Sequence, residues 1–260
     1  MPEARSKTAL ITGASSGIGA EFARQLAARH YNLILVGRRA DRLSAVSAEL
    51  QSKYAVTAEP LVADLEQDAG IQSVEDRIAG LPALDLLVNN AGFGSDKTFA
   101  EADLAGQLAM LQVHVVTPNR LAHVALPGMI ARQSGGIINV ASLAAFMALP
   151  TNVNYCATKA YLVTFSRSLA AEVAQKGVKV QALCPGFTIT EFHDQPGQGD
   201  FDRERSPRFL WGSARSVVAD SLRALDRGQV VCVPGFINHV IRWLARTGLV
   251  DRLAPVFLKA

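Results

Sequence analysis

The sequence predicts an α/β protein: one domain over residues 1–260, built on a doubly wound parallel sheet with helices on both faces. Two observations predict it. Short apolar runs alternate along the chain with longer stretches of helical periodicity, and the runs are apolar nearly throughout, as strands covered on both faces must be. No repeat, low-complexity tract or linker divides the 260 residues, of which 49% are hydrophobic and 19% charged, a composition suited to one globular unit.

Taken in order, Ala9–Thr12 reads as the first strand and Glu21–Arg29 as the first helical stretch, and Leu33–Val36 with Arg42–Gln51 repeats the unit. Strand runs continue at Pro60–Ala63, Leu84–Asn89, Gly136–Ala141 and Val178–Cys184, with helical patterns between them. Parallel neighbours need crossovers of this kind. Residues 187–213, rich in Gly, Pro, Asp and aromatic residues, interrupt the rhythm, and an irregular stretch of that length predicts a lid. It carries Phe187, Phe192, Phe201, Phe209 and Trp211, with Gly197 and Gly199 as hinges; the rings either line an apolar substrate pocket or anchor the loop to the protein's own core. Residues 234–260 form a C-terminal amphipathic extension, with Phe236, Ile237, Val240, Ile241 and Leu244 at helical spacing beside the basic His239, Arg242 and Arg246. Such a helix can lie on a membrane surface. Covering the fold or a subunit contact is the favoured expectation.

Several function classes are disfavoured at once. The net charge is +3 with Lys and Arg scattered, so the mildly basic balance gives no nucleic-acid footprint. The cysteines Cys156, Cys184 and Cys232 lie far apart without a C-x-x-C spacing, and no histidine pair sits near them at ligand spacing; reduced thiols, no metal and a cytoplasmic location are expected. The first seven residues are polar, and no apolar run reaches the ~18 residues of a membrane span.

Straight after the first strand comes Thr12-Gly13-Ala14-Ser15-Ser16-Gly17-Ile18-Gly19, opening into a helix expected to begin near Ala20. A glycine-rich strand-to-helix turn of this sort binds the pyrophosphate of a dinucleotide in Rossmann-type folds: Gly13 for the tight exit, Gly17 for close backbone approach, Gly19 for close helix packing, and the amides of the helix start for the phosphates. No Gly-Lys-Ser/Thr follows, which disfavours ATP or GTP hydrolysis. The second strand ends Val36-Gly37-Arg38-Arg39. Glycine stands where an acidic residue would accept from the ribose 2′-hydroxyl of NAD, and the two guanidinium groups suit a 2′-phosphate. NADP(H) is therefore preferred; NAD(H) remains possible if Arg38 and Arg39 face solvent. Further on, Tyr155 and Lys159 are four apart on a helical stretch, so a phenol and an ammonium share one face. A cation held close lowers a tyrosine pKa from ~10 toward neutrality.

The set resembles the short-chain dehydrogenases/reductases over most of the chain. Besides the glycine turn and the Tyr155-x-x-x-Lys159 pair, the likeness rests on Asn89-Asn90-Ala91-Gly92 at the end of the fourth strand, Ser142 after the fifth, and Pro185-Gly186 after the sixth. The resemblance implies that Tyr155 is the general acid, that Ser142 hydrogen-bonds the substrate oxygen, and that Lys159 lowers the tyrosine pKa while binding the nicotinamide ribose. It further implies that Ser15, Ser16 and Ile18 belong to the cofactor turn, that Asp64 and Leu65 flank the adenine, that Asn90, Ala91 and Gly92 line the ribose, and that Thr188 meets the carboxamide. A dimer or tetramer is the usual assembly.

One position departs from the family pattern. His114 stands where an asparagine often helps to hold a relay water. Pro118, four residues on, lacks the N–H that would close a helical bond onto the carbonyl of His114, so that carbonyl is expected to hold the relay water. The imidazole itself is read first as a satisfied core residue, with direct proton transfer as the other reading. The expected function is interconversion of a ketone or aldehyde, apolar in its substituents, with its alcohol by hydride transfer; the alternative is a non-catalytic dinucleotide-binding sensor or scaffold.

Overall fold

The computed structural model describes residues 6–95, 97–191 and 210–245. Its frame is a seven-stranded parallel sheet. The chain runs β1 (Lys7–Thr12), α1 (Gly17–Ala27), β2 (Tyr31–Gly37), α2 (Ala40–Tyr54), β3 (Ala58–Val62), α3 (Asp68–Ala79), β4 (Leu86–Asn89), α4 (Leu104–Leu111), α5 (Thr117–Ala131), β5 (Gly135–Val140), α6 (Val153–Glu172), β6 (Val178–Leu183), β7 (Thr188–Ile189), β8 (Gly212–Ser213), α7 (Ala214–Asp226), β9 (Val231–Cys232) and α8 (Phe236–Ala245). The sheet order is β3-β2-β1-β4-β5-β6-β9, and β7 pairs with β8 in a separate two-stranded ribbon.

The alternation of side chains along each strand divides the core in two. Ala9, Ile11, Leu33, Leu35, Val88 and Ile138 face α1, α2 and α7. Their neighbours Leu10, Ile34, Leu87 and Ile137 face α3 and α5. Every one of these positions is apolar, which is why the strands read as unbroken hydrophobic runs. The ends of the elements differ from the sequence reading where local hydrogen bonds take over from pattern. Helix α1 starts at Gly17, three residues ahead of the expected Ala20, because the Ala20 N–H already closes a turn onto the Ser16 carbonyl. Leu84 lies outside β4, since Asp85 instead clamps the start of β1, its N–H donating to the Thr8 carbonyl while its carboxylate accepts from the Thr8 N–H. The seventh strand, β9, is only two residues long, too short to leave a periodic signal.

A polar thread crosses the middle of the sheet and fixes α6 against it. Asn89 Nδ2 donates to Asn139 Oδ1 at 2.8 Å, Asn139 Nδ2 to Ser166 Oγ at 2.9 Å, and Ser166 Oγ to the Leu162 carbonyl at 2.7 Å. All three side chains are buried, so each bond also spares an uncompensated desolvation. Between α4 and α5 the helix widens into a π turn over Gln112–Val116, with the Thr117 N–H bonded to the Gln112 carbonyl. Among the described residues no helix is long and apolar enough to cross a membrane. Cys156, Cys184 and Cys232 are outside any disulfide, and all are buried.

Two tight corners show how much the packing adds to backbone preference. Gly177 leads into β6 with φ +69°, and a Cβ there would lie 2.0 Å from the Gln133 carbonyl oxygen, whereas Gly228 has φ +72° with open space around it. Both substitutions to alanine carry the left-handed penalty of about 1 kcal/mol. Gly177→Ala is expected to cost about 3 kcal/mol or more, because backbone must move as well. Urea denaturation of the two variants compares them directly; equal losses would show that the Gln133 contact does not constrain this corner.

Candidate active site

The strand order reverses between β1 and β4, so their connections leave the sheet in opposite directions and open a crevice at the strand ends. The glycine turn and the Asn90–Gly92 segment meet there. Gly13 has φ +66° and Gly17 φ +56°, and a Cβ on Gly19 would fall 2.2 Å from the Gly13 carbonyl. Gly19 thus serves packing of α1 onto the turn itself. Thr12 Oγ1 accepts from the N–H groups of Asn90 and Ala91 at 2.9 and 3.0 Å, while Asn90 Nδ2 donates to the carbonyls of Thr12 and Gly13 at 2.9 and 3.2 Å. The Asn90 side chain is therefore committed to holding the turn, and lining a ribose is left to backbone. Ile18 packs against the core.

Ser16 caps α1 in an extended conformation without a side-chain hydrogen bond to the helix. The first-turn N–H groups thus have no capping side chain as acceptor, which fits an anion at that end. Arg39 lies across the turn: its Nη2 donates to Ser15 Oγ at 2.9 Å and Ser16 Oγ at 2.8 Å. Arg38 points the other way, to Glu66 at 2.5 Å with Asp64 at 3.9 Å. The two arginines expected to act together are separated, and only Arg39 stands over the phosphate turn. Asp64 Oδ1 accepts from the Glu66 N–H at 3.1 Å. The Leu65 side chain is buried in the core beside Ile71 and Val74, so only the backbone of this residue is available to the crevice. These residues fit a dinucleotide: an anion-receptive helix start, a turn with glycine at its close approaches, and a guanidinium above it.

Ser142 follows β5 in extended conformation, and its Oγ accepts from the Ala144 N–H at 3.1 Å, capping a 3-10 turn over Leu143–Phe146. Its hydroxyl lies close enough to the Tyr155 phenol to lower that group's pKa. Lys159, one helical turn on, is buried, donates to the Val140 carbonyl at 2.9 Å and places its ammonium 5.6 Å from the centre of the Tyr155 ring. So the structure brings together the serine, phenol and ammonium that the sequence separates. The tuning differs from expectation. Burial pushes the Tyr155 phenol up to about 12, outweighing the Ser142 hydroxyl that lowers it, and burial pushes Lys159 down to about 8. The ammonium sits over the ring face and donates to the Val140 carbonyl.

His114 lies in the middle of the π turn and is wholly buried. The Phe93 N–H donates to its Nε2 at 3.1 Å, so that nitrogen must carry a lone pair; Nδ1, 3.0 Å from Thr158 Oγ1, then carries the proton. Thr158 Oγ1 in turn donates to the Tyr155 carbonyl at 3.0 Å. Burial and the nearby Lys159 ammonium hold the imidazole well below its usual pKa. It is a neutral ring with both nitrogens engaged, packed edge-on to Tyr155 at 5.9 Å between centroids. A Cβ on Gly92 would lie 2.7 Å from Nε2; the glycine makes room for the imidazole.

Beyond β6, the Pro185 carbonyl accepts from the Leu143 N–H at 2.8 Å. Thr188 is buried, with its hydroxyl donating to the Gly186 carbonyl at 3.0 Å, so the side chain expected at a carboxamide is already engaged. Thr190, which the sequence reading passed over, is the residue against the phosphate turn, with its Cβ 3.2 Å from where a Cβ on Gly17 would stand. Asn238 of α8 also escaped notice; a Cβ on Gly186 would fall 2.4 Å from its Oδ1. Of the lid rings, Phe187 and Trp211 pack on each other at 5.3 Å across the β7-β8 ribbon, and Phe192, Phe201 and Phe209 lie outside the described residues. Helix α8 departs from its expected faces: Arg242 lies 4.8 Å over the Phe146 ring and Ile241 packs against the core, while Phe236, Val240 and Trp243 are exposed. Arg246 and the rest of the 234–260 extension past Ala245 lie outside the described residues. Among the described residues no group of three or more His, Cys, Asp or Glu side chains could hold a metal ion.

Residues 7–199 match the family model described as short chain dehydrogenase. The chain is 35% identical over 267 residues to a very-long-chain 3-oxoacyl-CoA reductase of Phaeosphaeria nodorum, covering 98% of this chain and 75% of that protein. It is 32% identical over 243 residues to hydroxysteroid dehydrogenase-like protein 1 of Gallus gallus, covering 90% and 70%. Among solved structures, a short-chain dehydrogenase from Sphingobium yanoikuyae in complex with NADPH superposes with a TM-score of 0.84 at 32% identity, covering 95% of this chain and 94% of that one. With the glycine turn at the strand-order switch and the serine, tyrosine and lysine gathered beside it, the chain belongs to the short-chain dehydrogenase family of oxidoreductases.

Proposed function

We propose that the protein reduces an apolar ketone or aldehyde with NADPH, and oxidises the alcohol in reverse, with Tyr155 as the general acid. The observation that carries this reading is the Ser142 hydroxyl acting on the Tyr155 phenol, with the buried Lys159 ammonium over the phenol ring. NADPH supplies the hydride when bound. Ser142 and Tyr155 hold the carbonyl oxygen between two hydroxyl groups, which strengthens as charge develops on it. A phenol at about 12 keeps its proton in the resting enzyme and yields it only to a strongly basic alkoxide. Lys159 stabilises the phenolate left behind and reaches the nicotinamide ribose. His114, neutral and doubly bonded, positions the Asn90–Phe93 segment against α6 without transferring a proton. The ladder around it is one donor short because Pro118 has no N–H, which supports the reading that the His114 carbonyl holds a relay water.

The preference for NADPH is supported by Arg39 over Ser15 and Ser16, by Gly37 in place of an acidic residue, and by the NADPH held in the similar Sphingobium yanoikuyae structure. The apolar substrate is supported by the names of relatives that act on very-long-chain acyl thioesters. The exposed apolar side chains of Leu104, Leu108, Val153 and Tyr161 on α4 and α6 support association of a second copy there. We infer a single domain in the cytoplasm, from the continuous sheet and the three buried cysteines outside any disulfide.

Three outcomes test the proposal. Tyr155→Phe is expected to lower kcat by about 10²–10⁴-fold while the NADPH dissociation constant is unchanged; full turnover in this variant would remove the phenol from the mechanism. Arg39→Ala is expected to weaken NADPH about tenfold or more while NADH changes by less than about threefold, read by nucleotide fluorescence titration, and equal losses would reject the 2′-phosphate assignment. The third concerns stability. With its pKa lowered to about 8 from the usual 10.5, Lys159 binds a proton more weakly in the folded than in the unfolded chain, so stability rises with pH between those values. At pH 7 the buried ammonium costs about 3 kcal/mol. Lys159→Met, after about 1 kcal/mol lost at the Val140 carbonyl, should melt higher than the parent at pH 7, and the advantage should vanish by about pH 10; an advantage independent of pH would show that charge is not its cause.

A further inference from the structure

We infer that Glu191 is a specificity-determining residue: it acts as a built-in anion that occupies the 2′-phosphate seat and must be displaced by NADPH but not by NADH. The inference rests on the NADPH reading above. Glu191 stands next to Thr190, the residue against the phosphate turn. Its Oε2 accepts from Arg42 Nη1 at 2.5 Å and from Arg39 Nη1 at 3.3 Å. The same Arg39 guanidinium reaches Ser15 and Ser16 with its other nitrogens. One carboxylate thus draws together the two cations that border the turn, and Arg42, a residue the motif reading left as part of a helix, joins the seat.

The chemistry of the seat is that of a phosphate monoester. Two guanidinium forks meet at the Glu191 carboxylate, and the Arg39 fork also reaches two serine hydroxyls. Burial alone would raise the Glu191 carboxyl, yet its hydrogen bonds to Arg42 and Arg39 hold it below the ordinary range, so it is ionised at neutral pH. A ribose 2′-phosphate carries about −1.5 to −2 charges and three acceptor oxygens. It offers Arg39 and Arg42 more than Glu191 does, but the two anions cannot share the same forks without like-charge repulsion. NADPH therefore binds at the expense of the Glu191 pairs. NADH leaves them intact. Glu191 narrows the preference for NADPH without abolishing it, and Arg42 is the second ligand of the phosphate.

Nearly half of the Glu191 side chain is exposed, so each pair is worth little in water and the effect is modest. Glu191→Gln keeps the shape and removes the charge. In the full chain it is expected to tighten NADPH and adenosine 2′,5′-bisphosphate by about three- to tenfold, with NADH within about twofold, by fluorescence and calorimetric titration. Arg42→Ala should weaken the two phosphate-bearing probes and spare NADH. If Glu191→Gln leaves NADPH unchanged while Arg39→Ala still weakens NADPH selectively, the displacement is wrong and the NADPH reading stands. If Arg39→Ala shows no selectivity, the NADPH reading itself fails and this inference with it. Weaker NADH binding by Glu191→Gln would overturn the inference by making Glu191 a ribose ligand.

Discussion

Everything in the site depends on one topological constraint, the reversal of strand order between β1 and β4. Neighbouring parallel strands whose connections depart to opposite faces cannot close over each other's ends, so a crevice is left at their carboxyl termini. The gap would splay without a tie. Thr12 and Asn90 provide it, with four hydrogen bonds joining the glycine turn to the strand beyond. The crevice is thus held at a set width before any ligand arrives, and an anion meets a helix start whose donors need no rearrangement. Preorganisation of this kind is where binding energy is conserved for later use.

Behind the crevice, burial sets the charge states. Lys159 is taken out of water beside a phenol and an imidazole, and the three groups answer differently. The imidazole becomes neutral, the phenol keeps its proton, and the ammonium is driven down to about 8. A buried cation facing a backbone carbonyl and an aromatic face is only partly compensated, which is the form in which strain is stored at functional sites. His114 shows how a family position can change residue type without loss of order. Its ring bridges the Phe93 amide and Thr158, linking the cofactor-side segment to the helix that carries Tyr155.

Anions are handled with the same directness at the other end of the crevice. Arg38, Arg39 and Arg42 face Glu66, Asp64 and Glu191 in the resting chain, so no cation there waits without a partner. A binding site built from ion pairs exchanges one partner for another, and its selectivity is the difference between two competing anions instead of the strength of one. That view also explains why a count of arginines near the second strand says less than their directions. Arg38 and Arg39 are adjacent in sequence and diverge in space.

The sequence by itself determined the parallel sheet, since strands buried on both faces must be apolar at every position, and Leu10 beside Ile11 or Ile34 beside Leu35 leaves that record directly. It determined the glycine turn and the pairing of Tyr155 with Lys159 for a similar reason: local geometry and one helical turn of spacing are properties of short segments, whereas Ser142 was placed with them only by resemblance. Leu65, Asn90 and Thr188 were legible as positions, while the scaffold contacts of their side chains were not, because those depend on what packs beside them. The short β9, the π turn around His114, the pairing of Glu191 with Arg39 and Arg42, and the seat of Asn238 on Gly186 were decided only by the tertiary structure. All but the π turn join residues far apart in the chain, and burial and long-range hydrogen bonds, which raise one pKa and lower another, leave no periodic trace in the sequence that produces them.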